Sequence, residues 1–209
     1  MVFKRRDPRG PVRIVAEALW PRGGWRRAAS YITLRLRRLP DSPHKIARGV
    51  ACGVFVCFTP LFGLHFGVAA LMAWAIRGNI LASLLATLVG NPLTFPLIAA
   101  LSIGLGERLL QSETPVPLPQ VLPAFSRAFG QITDNLVGLL TGGSAQWDQL
   151  AVFFKGVFVP YLVGGFVPGV IAGFVAYKMS VPVVAAYQRR RAGTLSQVAK
   201  RRMNADGAP

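Results

Sequence analysis

An almost unbroken apolar stretch occupies residues 50–106, in which Arg77 is the one charged side chain. Apolar runs of this length are typical of membrane-spanning helices. Each half of the stretch is interrupted by a proline-centred motif, FTPLFG at residues 58–63 and GNPLTFP at residues 90–96. Proline removes a backbone donor and crowds the preceding turn, so the pattern predicts broken helices rather than two continuous spans.

The first apolar run is too long for one upright span. Residues 49–76 are 28 positions without a formal charge. A straight helix of that length would extend about 42 Å, whereas the hydrocarbon core of a bilayer is about 30 Å thick. Either the helix tilts strongly, or a break at Thr59-Pro60 folds the run into a re-entrant hairpin of two half-helices. Ser42 before Pro43 predicts the N-cap and the first residue of the first half.

The distribution of charge predicts the topology. Residues 1–48 contain 13 Lys and Arg against 3 Asp and Glu, and residues 178–209 contain 7 against 1, whereas residues 107–155 contain 3 against 4. The positive-inside rule therefore predicts two cytoplasmic termini and an outer loop. A hairpin that returns at Arg77, an outward crossing by residues 78–106 and an inward crossing by residues 156–177 satisfy this prediction.

Three regions follow from the pattern. Residues 1–45 are predicted to be a basic cytoplasmic arm with a short helix near residues 12–19 and an amphipathic interfacial helix from Trp25 to Leu39, which could instead pack on the protein's own cytoplasmic face. Residues 46–180 are predicted to be the membrane domain, and residues 181–209 a polybasic cytoplasmic tail. The expected fold class is therefore an all-α integral membrane protein, with the broken hairpin, two or more transmembrane helices and amphipathic interfacial helices.

The outer loop, about residues 107–155, carries an amphipathic helix of its own. Its apolar residues recur at helical spacing, which predicts a helix lying on the outer leaflet or on the spans. The stripe consists of Phe125, Phe129, Ile132, Leu136 and Leu139.

The last predicted span contains Gly165, Gly169 and Gly173, two overlapping G-x-x-x-G units. Small residues at every fourth position allow two helices to approach closely. The partner helix can belong to the same chain or to a second protomer, in which case these glycines would form a homo-oligomer.

Composition adds limits on chemistry. A chain that is 52% hydrophobic with a net charge of +16 fits basic segments that contact anionic lipid beside apolar spans. No carboxylate lies in the apolar stretch, and no metal-binding, nucleophile-base or phosphate-loop motif is present. We therefore expect no enzymatic activity, no cofactor and no metal. We also expect no nucleic-acid binding, because the flanking arginines already have a lipid partner.

The polar side chains in or beside the two breaks are the candidate binding residues. Broken helices at membrane depth present half-helix N-termini, which attract anions. The alternative is structural, because Thr and Asn beside proline often satisfy freed carbonyls, a buried histidine is usually hydrogen-bonded, and a lone arginine can serve as a topology anchor. The candidates are Thr59, His65, Arg77, Asn79, Asn91 and Thr94.

Several of these motifs occur together in one known family. KRRDP at residues 4–8, WPRGGW at residues 20–25, FTP followed by GLH, RGN at residues 77–79 and GNPLT at residues 90–94 resemble the bacterial membrane proteins of domain-of-unknown-function family 2062. The resemblance covers about residues 1–180 and implies a bacterial inner-membrane location. Related domains are fused to glycosyltransferases, which implies a lipid-linked substrate and supplies no catalytic residue.

Two functional hypotheses follow. The first is a multi-pass inner-membrane protein that binds or translocates an anionic amphiphile, for example a polyprenyl-phosphate-type lipid, where the two broken segments meet. In it Arg77 and the half-helix N-termini would hold the phosphate. The second is a non-transporting scaffold that recruits a cytoplasmic partner or an envelope-synthesis enzyme through its basic ends.

Overall fold

The computed structural model describes residues 24–112, 116–141 and 146–206. The predicted helix near residues 12–19 lies outside these ranges. The described residues form helices joined by short turns and contain no strand, so the all-α prediction is confirmed. The helices are α1 (Gly24–Arg37), α2 (Pro43–Val56), α3 (His65–Ala75), α4 (Ile80–Ala86) with a 3-10 turn (Thr87–Val89), α5 (Phe95–Leu109), α6 (Leu118–Thr141), α7 (Asp148–Phe153) with a π turn (Phe154–Phe158), and α8 (Val159–Asp206).

The chain divides into two compact units. One unit spans Asp41–Pro182, and the other combines the residues up to Pro40 with those from Val183 onward. In the second unit, α1 matches the predicted amphipathic helix, and the Nε of Arg35 donates to the hydroxyl of Tyr31 at 2.8 Å. The polybasic tail continues α8 as a helix to Asp206.

The first apolar run folds as the predicted broken hairpin. Ser42 is the N-cap of α2, where its hydroxyl accepts from the amide of Lys45 at 3.4 Å. The helix ends at Val56, and α3 runs back beside it. The return is shown by Gly78, at the end of the hairpin, which packs against the backbone of Arg48. A helix of 14 residues rises about 21 Å.

Helix α4 runs parallel to α2 and in close contact with it. The backbone of Gly49 lies against Asn79, and that of Gly53 lies against Ser83. A Cβ atom at either glycine would overlap a carbonyl oxygen of α4. The close approach therefore requires glycine at both positions.

Helix α8 runs antiparallel to both α2 and α5 and joins them. His44 Nδ1 lies 2.8 Å from the hydroxyl of Tyr177 at one end of this contact. The remaining contacts follow in order along α8, with Gly173 on Ala51, Gly169 on Phe55, Gly165 on Phe58, Gly164 on Ser102, and Pro160 on Gly106. The G-x-x-x-G face is thus used within the chain, and a homo-oligomer through the same glycines would have to displace α2.

A π turn lies directly before α8 and ends two residues before Pro160. The amide of Val159 donates to the carbonyl of Phe154, five residues back, so one extra residue is accommodated in this turn. The wider turn relieves the clash between the proline ring and the preceding carbonyls. Residues Asp148–Gly193 form the one helix, among the described residues, that is long and apolar enough to cross a membrane, and an 18-residue segment within it has a mean hydropathy of 1.9.

Helix α6 lies where the apolar stripe predicts a helix, and the residues of that stripe face in two directions. Phe125 packs inward between Phe62 and Phe153, with ring centroids 4.4 and 4.7 Å away. Phe129 and Leu136 are exposed instead. The inward face belongs to the core of the larger unit, formed by Ala99, Ile103, Val121, Ala128, Phe153, Val157 and Tyr161.

Candidate functional site

The two breaks in the apolar stretch lie side by side. The first comprises residues 57–64 and the second residues 90–94. The thiol of Cys57 donates to the carbonyl of Thr87 at 3.3 Å, and the rings of Phe62 and Phe95 are 4.8 Å apart. We call this region the break junction. It contains the C-terminal ends of α2 and α4 and the N-terminal ends of α3 and α5.

Both helices that begin at the break junction lack a side-chain cap. The N-cap positions of α3 and α5 are Leu64 and Thr94, and neither side chain bonds to the first turn. In the described chain no acceptor reaches the amides of the first three residues of α3, and none reaches the amide of Leu97 in α5. The N-terminus of α3 therefore leaves three amides open, and that of α5 leaves one, because Phe95 donates to the carbonyl of Asn91 and Pro96 has no amide hydrogen.

Three of the predicted site residues are used by the breaks themselves. The hydroxyl of Thr59 is buried and donates to the carbonyl of Val56 at 2.7 Å. The side-chain oxygen of Asn91 accepts from the amides of Leu93 and Thr94 at 2.9 and 3.2 Å. The hydroxyl of Thr94 turns back and donates to the carbonyl of Val89. These side chains shape the breaks and point their hydrogen bonds into the loops.

His65 is the first residue of α3 and lies at the open N-terminus. It is half-buried, and its ring centroid is 5.3 Å from that of Phe62. Of the six predicted site residues, His65 is the one placed beside the uncapped amides without being used as a loop hydrogen-bond donor or acceptor among the described residues.

Arg77 and Asn79 lie at the opposite end of α3 and α4, so their predicted place at the break junction needs correction. Helix α3 separates them from the first break by 11 residues, about 16 Å. Arg77 is exposed and has a φ of 53°, which closes the turn between α3 and α4. The sequence spacing could have predicted this separation, because the 11 residues of α3 place Arg77 and the first break at opposite ends of one helix.

Asn79 is structural at this second end, which we call the capped end. Its side-chain oxygen caps α4 by accepting from the amide of Ala82 at 2.6 Å, and its Nδ2 donates to Asp41 at 2.5 Å. Lys45 pairs with the same carboxylate at 2.9 Å. The hydrogen bond from Lys45, followed by that from Asn79, holds the pKa of Asp41 below the ordinary value of 3.8.

Two buried hydroxyls beside the break junction escaped sequence reasoning. Ser102 and Tyr161 are fully buried, and neither hydroxyl has a hydrogen-bond partner among the described residues. Ser102 lies against Gly165, one helical turn from Tyr161 on α8, and the ring of Tyr161 is 6.1 Å from that of Phe62. Both residues sit in plain apolar sequence, so only the tertiary contact of α5 with α8 reveals them.

Comparison with family models identifies the chain. Residues 26–193 match the model described as "Uncharacterized protein conserved in bacteria (DUF2062)". The protein belongs to this family. The resemblance seen in the motifs is thereby confirmed. Neither a curated protein nor a solved structure matches the chain. In the described residues, no group of three His, Cys, Asp or Glu side chains is placed to hold a metal ion.

Proposed function

We propose that this protein is a multi-pass protein of the bacterial inner membrane, in which α2 and α3 form a re-entrant hairpin, α4 and α5 together cross the bilayer, and α8 crosses back. The contact between α8 and its neighbours supports this arrangement, because it extends from Tyr177 to Pro160, about 26 Å along the helix, close to the thickness of a hydrocarbon core. Helices α2 and α5 run in the direction opposite to α8, so both ends of the chain lie on one side.

The outward faces of the short helices fit a lipid environment. Leu71 and Trp74 on α3 are 62% and 68% exposed, and Leu97 on α5 is 74% exposed. On α8, Phe166 and Phe174 are 57% and 60% exposed. Large apolar residues on every outward face would be costly in water and favourable against lipid tails.

The proposed activity is the binding or translocation of an anionic amphiphile, for example a polyprenyl-phosphate-type lipid, at the break junction. The observation that carries it is the pair of uncapped helix N-termini. At membrane depth an unsatisfied amide costs several kcal/mol, so an acceptor from outside the chain is required. A phosphate head group supplies anionic acceptors to the amides of α3 and α5, and His65 lies beside them.

The test replaces one amide donor at the junction. Phe66 occupies the second helical position of α3, as Pro96 does in α5, so Phe66→Pro fits the first turn but removes the amide hydrogen. Binding of farnesyl phosphate to the purified protein, measured by native mass spectrometry with farnesol as the uncharged control, is expected to weaken several-fold. Phe66→Ala keeps the amide and is the matched control.

Arg77→Asn distinguishes the break junction from the capped end. Asparagine tolerates the positive φ at this position, so the substitution removes the charge and keeps the turn. We expect unchanged binding of farnesyl phosphate. Weaker binding in Arg77→Asn, together with unchanged binding in Phe66→Pro, would exclude the break junction as the site.

The orientation has its own test. Cys52 and Cys57, which are both free and buried, are first replaced so that each variant contains one thiol. Single cysteines are then placed at Arg77 and at Ser112. A membrane-impermeant maleimide should label position 77 only in opened membranes and position 112 in intact cells. Labelling of position 77 from outside would reject the re-entrant hairpin.

The scaffold function remains the alternative proposal, and the long extension of α8 favours it. The helix continues from Tyr177 to Asp206 through the basic residues 189–191 and 200–202. Such an extension is suited to a cytoplasmic partner. If the protein binds the lipid at the break junction, deletion of residues 193–209 should leave farnesyl phosphate binding intact. If the protein is a scaffold, the same deletion should abolish binding of the cytoplasmic partner, and the break-junction variants should still bind that partner.

A further inference from the structure

A groove separate from the breaks lies between α6 and the π turn. Its volume is about 870 Å³, and the greater part of its wall is apolar, including Ala124, Val152 and Val157. The segment before α6 closes one side, where Val116 is held by Glu107, whose carboxylate accepts from the Val116 amide at 2.8 Å. A volume of this size accommodates a small amphiphilic molecule or one end of a larger one.

The groove has more basic than acidic residues among its described lining, whereas residues 107–155 as a whole have more acidic than basic residues. Residues 107–155 contain three Lys and Arg, and two of them, Arg127 and Lys155, line the groove and are exposed. Among the described residues that line the groove, Asp148 is the one formally charged acid, and the two cations outnumber it. A wall of apolar side chains with two cations matches an anion attached to a hydrocarbon chain.

The π turn brings Lys155 and Gly156 into the groove wall. Gly156 is open on this side, because the nearest atom to a Cβ at this position would be a Val116 methyl at 3.8 Å. Single π turns occur frequently at functional sites, where the extra residue changes the direction of neighbouring side chains.

We propose that this groove binds an anionic amphiphile, with Arg127 and Lys155 on the anionic head group and the chain along Val152 and Val157. The site is distinct from the break junction, and none of its residues belongs to either break. Phe153 forms its inner wall and contacts Phe125. Phe125 also contacts Phe62 of the first break, so a chain of aromatic contacts connects the groove with the break junction.

Dodecyl phosphate is the probe for this site, and native mass spectrometry of the full-length protein in an uncharged detergent measures its binding. The double variant Arg127→Gln/Lys155→Gln should bind the probe about tenfold more weakly, because two charge-assisted contacts are lost. Arg108→Gln removes the third cation of the same segment, which does not line the groove, and should bind normally. Equal losses in both variants would refute a localised site.

A steric variant tests the same groove without changing charge. Gly156→Leu should fill the groove and lower binding as far as the charge variant does. Gly130→Leu is the matched control, because a Cβ at Gly130 meets no atom within 4 Å. Unchanged binding in Gly156→Leu would overturn the proposal.

Ligand chemistry and site are separated by two further comparisons. Dodecylphosphocholine carries the same chain without net charge, and inorganic phosphate carries the charge without the chain; both should bind weakly, and comparable binding of either one would contradict an anionic-amphiphile site. All titrations are repeated in Phe66→Pro, where the groove should still bind. This repeat separates failure at the groove from failure at the break junction.

Discussion

The bundle formed by α2, α3 and α4 has similar polar residues at its two ends. The ends differ in whether the helices that begin there have side-chain caps. At the capped end, Ser42 and Asn79 cap the helices that begin there, and Asp41 is bonded by Lys45 and Asn79. At the break junction, the helices begin without side-chain caps. The exception at the capped end is the Nε of Arg48, which is buried without a partner among the described residues.

This difference favours the break junction over the capped end as the proposed binding site. Ser42, Asn79 and Asp41 at the capped end already bond to other groups of the protein, so their presence there is explained by stability. At the break junction the side chains of Thr59 and Thr94 are also used, and the open groups belong to the backbone. The proposed site consists of backbone amides, so a search of the sequence for polar side chains does not find it.

The largest expected effect concerns the contact that covers the break junction. A Cβ atom at Gly165 would overlap the carbonyl oxygen of Phe58, so Gly165→Leu should separate α8 from α2 and destabilise the protein by about 3 kcal/mol. Thermal unfolding in detergent measures the loss. Gly104→Leu is the matched control, because a side chain at Gly104 meets no atom within 4 Å, and an equal loss there would contradict the packing argument.

A smaller effect compares the two asparagines, one at each end. Asn79→Ala removes the cap of α4 and a hydrogen bond to Asp41, and should cost about 1–2 kcal/mol. Asn91→Ala loosens the second break, where the side-chain oxygen of Asn91 accepts hydrogen bonds from two backbone amides. Both variants should lose stability in chemical unfolding, whereas only Asn91→Ala should bind farnesyl phosphate more weakly. Equal binding by the two variants would remove the distinction between the ends.

The smallest effect is a pH dependence confined to the capped end. Because the folded-state pKa of Asp41 is lowered, the carboxylate contributes stability above its unfolded pKa, and that contribution is lost as the pH falls through the lowered value. Unfolding temperatures of the wild type and of Asp41→Asn should therefore converge in acid, below about pH 4. A constant difference across the acid range would show that Asp41 does not titrate with folding.

Local features of this fold could be predicted from sequence, and features that depend on distant contacts could not. Ser42-Pro43 and Thr59-Pro60 act within one turn of the chain, so the start of α2 and the first break followed from their order. The direction of α8 against α2 and α5 depends on Gly164 and Gly165 meeting residues far away in sequence. The burial of the Tyr161 hydroxyl without a partner among the described residues follows from the packing of α8, and no sequence spacing predicts it.

Helix α8 is synthesised after α2 and α5, and this order has a consequence for folding. The glycine face of α8 packs on Ala51, Phe55 and Phe58 on one side and on Ser102 on the other. Before residues 159–173 are synthesised, these surfaces are not covered by α8. A chain that stops before Val159 therefore leaves packing surfaces exposed, which is the condition under which incomplete chains aggregate.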